Sequence, residues 1–332
     1  MPIISSTLPN NSETDGAVIV HDEVSEKHSS NVKEKKKYFI ADTPEWSIDE
    51  MVLAPETKNM LTDAITFCLQ KETIVNSWGL KSFLKGSSGC TGINMYGMPG
   101  TGKTIAAEAI AKATGKKIIK VDYSEVQSDA WGGTETQLTQ LFKTGIETDS
   151  VIFFDEADGL LGKRQSEGAN SETNNQIKSH LLTLLDRYNV IVIFATNLFE
   201  NYDRAFFRRI LFHVSFPLPN EKQLISLWKL HLGDLPNEKR TSVVPKSDDF
   251  SFEIVAKESI GLSGGDIKNI TLRACIHMVA TGTSTLSNSI LKQLIEEYRR
   301  SLSDMNNNHS QIKTETLTGG EKEEALKLFN QK

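Results

Sequence analysis

Cysteine is scarce in this chain, with three in 332 residues: Cys68, Cys90 and Cys275. They are odd in number, widely spaced and outside any C-x-x-C pattern. A disulfide framework and a thiolate metal site are therefore excluded, and reduced thiols in a cytoplasmic protein are expected. No apolar run approaches the roughly 18 residues that a membrane span requires, so no membrane partner is expected. The N-terminus lacks the apolar stretch of a secretory signal. Positive charge is not in excess either. Lys and Arg total 37 against 43 Asp and Glu, a net charge of −6, which argues against broad nucleic-acid binding. No internal repeat is visible.

What is present suits a protein with a substantial core: 38% hydrophobic and 24% charged residues. The length suggests about two domains. Residues 1–40, rich in Ser, Asn, Glu and Lys, read as a disordered arm. Its Lys33–Lys37 charge run reads as a solvated linker face. Residues 41–219 then alternate strand and helix. Helical periodicity covers Thr57–Gln70, Ile105–Thr114, Glu135–Gly145 and Asn175–Arg187. Apolar strands are expected at Ile93–Tyr96, Lys117–Asp122, Val151–Phe154 and Val190–Ala195. The alternation implies a parallel α/β sheet covered on both faces. After Pro217-Leu218-Pro219 the pattern turns wholly helical: 221–232, 252–259, 265–281 and 287–301. A smaller helical lid over 220–303 and a flexible tail over 304–332 follow, with Glu321–Phe329 as a candidate short helix.

Gly97-Met98-Pro99-Gly100-Thr101-Gly102-Lys103-Thr104 fits G-x-x-x-x-G-K-[ST] between an expected strand and an expected helix. Glycines let the backbone curl until several N–H groups face one anion, and the helix N-terminus adds partial positive charge. Lys103 would reach β- and γ-phosphates, and the Thr104 hydroxyl would hold Mg²⁺. Asp155 and Glu156 end an apolar strand. There Asp155 would bind Mg²⁺ and Glu156 would polarise an attacking water.

Over about Asp42–Leu302 the chain resembles the AAA+ ATPases, and within them the AAA clade of protein remodellers. Trp46–Leu53 looks like the segment that wraps the adenine. Gly97–Thr104 and Asp155–Glu156 resemble the two Walker motifs. Ala195-Thr196-Asn197 is similar to the sensor-1 strand end, and Asp203–Arg209 to the arginine-finger segment. Phe216–Pro219 resembles the link to the lid, and Gly261–Ile267 the start of a lid helix. This resemblance implies ATP and Mg²⁺ as cofactors. It assigns catalytic roles to Glu156, Asn197, Arg208 and Arg209, with the arginines reaching ATP on a neighbouring subunit. It assigns nucleotide contacts to Pro99, Gly100, Thr101, Gly102, Lys103, Thr104, Ile105, Val52, His231 and Gly264. Read alone, Asn197 suits a turn, His231 suits helix packing, and the arginines suit surface ion pairs.

The resemblance further implies a homo-hexameric ring that remodels a protein substrate through a central pore. Residues 1–40 would serve as a tether or bind an adaptor protein. The pore segment departs from the family pattern. Aligning Gly132-Gly133-Thr134-Glu135 with the family's Gly-Glu-Thr-Glu leaves Ala130 at the usual aromatic position and Asp129 at the usual lysine. Trp131, with Gly132, becomes the expected pore contact, because an exposed indole can press on an extended polypeptide without sequence preference. No H-E-x-x-H motif exists, so a membrane-protease member is excluded. Two other readings stay open: an activator dedicated to one enzyme or HORMA-type signalling protein, and a nucleic-acid motor or loader.

Overall fold

The computed structural model describes residues 39–80, 89–122, 133–163, 171–197, 202–234 and 243–314. The arm at 1–38, the pore segment with Trp131 and Gly132, and Glu321–Phe329 lie outside the described residues. Helix α1 spans Pro55–Glu72, with Pro55 at its first turn, where a missing N–H costs nothing. Then come β1 (Thr91–Gly97), α2 (Lys103–Ala113), β2 (Lys117–Asp122), α3 (Gly133–Glu147) and β3 (Ser150–Asp155). They are followed by α4 (Asp158–Leu161), α5 (Ser171–Arg187), β4 (Ile191–Thr196), α6 (Arg204–Phe207) and β5 (Phe212–Phe216).

The five strands lie in the order β2-β3-β4-β1-β5, and every neighbouring pair is parallel. Successive side chains on each strand point to opposite faces, and both faces are apolar. Ile152, Phe154, Val192 and Phe194 pack with Leu138, Phe142, Leu181 and Leu185 of α3 and α5. Val151, Phe153, Ile191 and Ile193 pack on the other side with Leu61, Ala106 and Ile110 of α1 and α2. Near-continuous apolar runs are therefore what such strands need, as the sequence suggests.

Strand β5 had no sequence expectation. Phe212-His213-Val214-Ser215-Phe216 is short and half polar, and His213 and Ser215 are only partly buried. An edge strand with one partner tolerates that pattern.

Four further helices form a third cluster: α7 (Glu221–Leu232), α8 (Phe252–Glu258), α9 (Gly264–Thr281) and α10 (Asn288–Thr314). Trp228 is its largest fully buried side chain, and its indole N–H donates to Ser259 Oγ at 3.0 Å. Reciprocal capping starts two of these helices. Asn220 and Gln223 cap α7, and Ser263 and Asp266 cap α9. Each of the two ends on a left-handed glycine, Gly233 and Gly282. Helix α10 corrects the expected tail, because it continues to Thr314. Once packing of Leu291, Leu294 and Ile295 has nucleated a helix, each added turn is inexpensive even in polar sequence.

Candidate functional site

Strands β1 and β4 are neighbours whose onward connections run in opposite directions, toward β2 and toward β5. Ligand crevices in open α/β sheets form at the carboxyl ends of such strands. Here those ends carry Gly97 and Asn197.

The loop after β1 has a shape that only glycine allows at two points. Gly97 has φ of 151°, and a Cβ there would sit 2.2 Å from the Phe216 carbonyl oxygen. Gly100 has φ of 76°, and a Cβ there would sit 2.5 Å from Ser263 Oγ. Gly265 N–H, in the first turn of α9, donates to the Gly100 carbonyl at 2.9 Å. The loop and the helical cluster are thus in direct backbone contact.

Lys103 opens α2 and folds back into the loop. Its ammonium donates to the Gly97 carbonyl (2.7 Å), the Met98 carbonyl (3.0 Å) and Asn197 Oδ1 (2.9 Å). Burial lowers its pKa, and the charges of Asp155 and Asp158 partly offset that shift. Beside it, Thr104 Oγ1 donates to Asp155 Oδ2 at 3.0 Å, joining residues 51 apart in sequence. The Glu156 N–H donates to Asp155 Oδ1 at 3.0 Å. Glu156 has φ of +50°, a strained setting for a non-glycine residue, and its side chain is exposed.

Asp158 was not anticipated from the sequence. Its carboxylate accepts the Asn197 N–H at 3.1 Å, so the turn after β3 orients the end of β4. No pattern marks it beyond its position three residues after Asp155.

These groups open into a cavity of about 400 Å³. Pro99, Gly100, Thr101, Gly102, Lys103, Thr104 and Ile105 line one wall, with Asp155, Glu156 and Asn197. Val52, His231 and Gly264 line the other. The structure therefore gathers all of the expected nucleotide contacts around one space. Trp46, from the segment expected to wrap the adenine, lines it too, and the structure adds Leu227, Leu230 and Lys268, which the sequence reading passed over. Leu227 and Leu230 precede His231 by four and one residues, a helical spacing that could have signalled a shared face. Lys268 is exposed one turn into α9, and no hydrogen bond or ion pair engages its side chain among the described residues.

The segment carrying Trp46 and Val52 is fastened by the glycine-loop helix itself. Glu108 on α2 accepts the Glu45 N–H at 3.0 Å and pairs with Lys120 at 2.7 Å. Burial pushes the Glu108 carboxyl upward. The Lys120 hydrogen bond and charge, together with the Glu45 and Trp46 N–H groups, outweigh this and leave its pKa lowered.

Neither Arg208 nor Arg209 lines the cavity. Arg209 Nε donates to both Asp186 carboxylate oxygens at 3.0 Å, and its guanidinium also reaches the Ala205 carbonyl. Arg208 is exposed, and its side chain makes no hydrogen bond or ion pair among the described residues. The two residues, alike in sequence, thus differ in setting. Among the described residues, no group of three or more His, Cys, Asp or Glu is arranged to hold a metal ion. The hydroxyl–carboxylate pair Thr104–Asp155 instead suits a cation completed by phosphate oxygens and water. No described helix is long and apolar enough to cross a membrane.

Residues 93–218 match the family model for AAA, the ATPase family associated with various cellular activities. A cell division cycle protein 48 homolog of Archaeoglobus fulgidus is 34% identical over 190 residues, covering 55% of this chain and 25% of that protein. The 26S proteasome subunit RPT4 of Saccharomyces cerevisiae is 33% identical over 191 residues, 55% of this chain and 42% of its own length. The Arabidopsis thaliana protein SUPPRESSOR OF K(+) TRANSPORT GROWTH DEFECT 1 is 34% identical over 179 residues, 52% of this chain and 39% of its own. The matched region therefore spans between a quarter and about two-fifths of these relatives. Glycine loop, paired acids and sheet order agree with the family match, and residues 93–218 form an AAA ATPase domain similar to those of these relatives.

Proposed function

We propose that this chain hydrolyses ATP with Mg²⁺ and works as a subunit of a cytoplasmic homo-hexameric ring that remodels a protein partner. One observation carries the reading. Lys103, Thr104, Asp155, Glu156 and Asn197 converge on one cavity, whereas Arg208 stands outside it without a side-chain partner among the described residues. The cavity is lined by Lys103 and Lys268 but by no arginine, so a transition-state arginine would come from a neighbouring subunit.

The residues divide the work as follows. Loop N–H groups and the α2 N-terminus bind the phosphates. Lys103 exchanges the Gly97 and Met98 carbonyls for phosphate oxygens, and the partial desolvation of its ammonium strengthens that contact. Thr104 and Asp155 would hold Mg²⁺, which would neutralise charge on the phosphates when bound. Glu156, exposed at the strand tip, takes the proton of the attacking water. Asn197, aimed by Asp158 through its backbone, orients that water. His231, Leu227, Leu230 and Val52 form the wall that receives the base. Arg208 from one subunit completes the site of its neighbour.

The similarity to a 26S proteasome subunit supports assembly with other proteins and a protein substrate. Changes in the angle of the helical lid, tied to the glycine loop through Gly265, would move the Trp131–Gly132 pore contact. An adaptor would engage residues 1–40. The test is Glu156→Gln in ATP. A ring with bound ATP, negligible turnover and a captured protein is expected. Turnover near wild type would remove Glu156 from catalysis. ATPase stimulation by DNA and none by unfolded polypeptide would overturn the protein-substrate reading.

A further inference from the structure

Two buried polar side chains beneath the site have no hydrogen-bond partner among the described residues. Asn94 in β1 is 0% exposed, and neither its amide oxygen nor its nitrogen meets a hydrogen-bond partner. Thr196 in β4 is 1% exposed, and its hydroxyl lacks one as well. The strand register places them together. Asn94 pairs with Phe194, and Tyr96 pairs with Thr196. Thr196 therefore stands one pleat beyond Asn94, on the neighbouring strand and the same face. Strands lie about 4.8 Å apart and rise about 3.3 Å per residue, so their Cα atoms are roughly 8 Å apart.

Apart from Tyr96, which stands opposite Thr196, that face is mostly apolar. Ile93 and Met95 turn to the α1–α2 cluster, while Phe194, Phe206 and Ile210 belong to the cluster on the side of Asn94. A leucine at 94 would fill such a place without desolvating an amide. An asparagine brings donors and acceptors that must be met. A neutral amide and a hydroxyl separated by that span are suited to water, which needs two to four polar partners.

We propose that Asn94 and Thr196 enclose a buried water site that bridges β1 and β4 and positions Asn197. Asn94 lies three residues before Gly97, where the glycine loop begins. Thr196 is bonded to Asn197, whose amide oxygen accepts from Lys103 at 2.9 Å. The bridge locks the tips of the two strands that carry the loop and the sensor. Asn94 and Thr196 are positioning residues in this scheme; they touch no reacting atom. The kinetic consequence rests on the ATPase reading, but the water itself does not.

A high-resolution crystal structure of the full chain tests the site directly. Ordered density within about 3.2 Å of the Asn94 amide and the Thr196 hydroxyl is expected. Both groups found dry, or bonded directly to protein atoms, would overturn the proposal. In kinetics, Thr196→Val is expected to lower kcat about ten-fold with KM for ATP changed less than two-fold. Thr196→Ser, which keeps the hydroxyl, should restore kcat. Adding Asn94→Leu to Thr196→Val should cost little more, because both changes empty the same site. A Thr196→Val enzyme with wild-type kcat, or a Thr196→Ser enzyme equally impaired, would refute the positioning role. Should Thr196→Val fail to fold, the Thr196→Ser kinetics and the wild-type crystal structure still decide. If the wild-type chain turns over no ATP, the ATPase reading falls and the crystallographic water still decides this one.

Discussion

Arg208 and Arg209 are neighbours in sequence, and their substitution should have opposite consequences. Arg209 Nε bonds both oxygens of Asp186 at 3.0 Å, and the two side chains are 33% and 31% exposed. A forked guanidinium–carboxylate pair is stronger than a single contact, but solvent at this exposure screens it, leaving on the order of 1 kcal/mol. Arg209→Ala should therefore lower Tm by about 2–4 °C. Arg208 contributes no such contact among the described residues, so Arg208→Ala should leave Tm unchanged. It should instead lower ATP turnover by about a thousand-fold or more, the scale of a transition-state arginine. Thermal unfolding and steady-state ATPase measurements on both variants separate the two roles. Mixing Arg208→Ala with Lys103→Ala subunits should recover part of the turnover, because each supplies what the other lacks. The reasoning fails if Arg209→Ala abolishes turnover at unchanged Tm while Arg208→Ala remains active. Absence of recovery in the mixture would refute the shared site.

Three further outcomes follow from local geometry. Gly265→Ala places a Cβ 3.1 Å from Gly100 Cα, backbone against backbone. An overpacking strain of about 1–3 kcal/mol would weaken nucleotide binding roughly five-fold or more in a titration, whereas unchanged affinity would show that the helical cluster yields freely. The lowered pKa of Glu108 means that its stabilising contribution is present above the ordinary glutamate value of about 4.3 and is lost as pH falls through its folded pKa. Tm of the wild type should therefore drop more steeply below about pH 4.3 than Tm of Glu108→Gln, and parallel acid profiles would contradict this. Burial raises the Cys68 thiol to about 11 and the Cys90 thiol to about 12. Both should resist a thiolate-selective reagent at pH 8 until the chain unfolds, and rapid labelling of the native protein would refute the packing around them.

Much of the architecture was legible because its signals are local. Val151–Phe154 and Val190–Ala195 are apolar on both faces, as strands inside a covered parallel sheet must be. Asn220 and Ser263 announce helix starts through their own caps. Strand β5 escaped because an edge strand needs no continuous apolar run. The extent of α10 past residue 303 escaped because its composition favours no packing there, and a helix already nucleated simply continued. In the site, Lys103, Thr104 and Asp155 were legible from motif spacing, and Asn197 only through the family resemblance. Asp158 and Lys268 were not, because they depend on which turn faces which strand and which helix face closes over the loop.

By itself, the sequence determined the glycine loop, its lysine and threonine, the acids at a strand tip and the periodicity of each long helix. Those properties follow from backbone sterics and side-chain pattern within a few residues. Only the tertiary structure decided that Thr104 meets Asp155 across 51 residues, that Asn94 and Thr196 share a buried face, and that Arg209 is tied to Asp186 while Arg208 is exposed without such a tie. These contacts depend on strand order and register, which are settled when distant segments pack, and no local spacing encodes them.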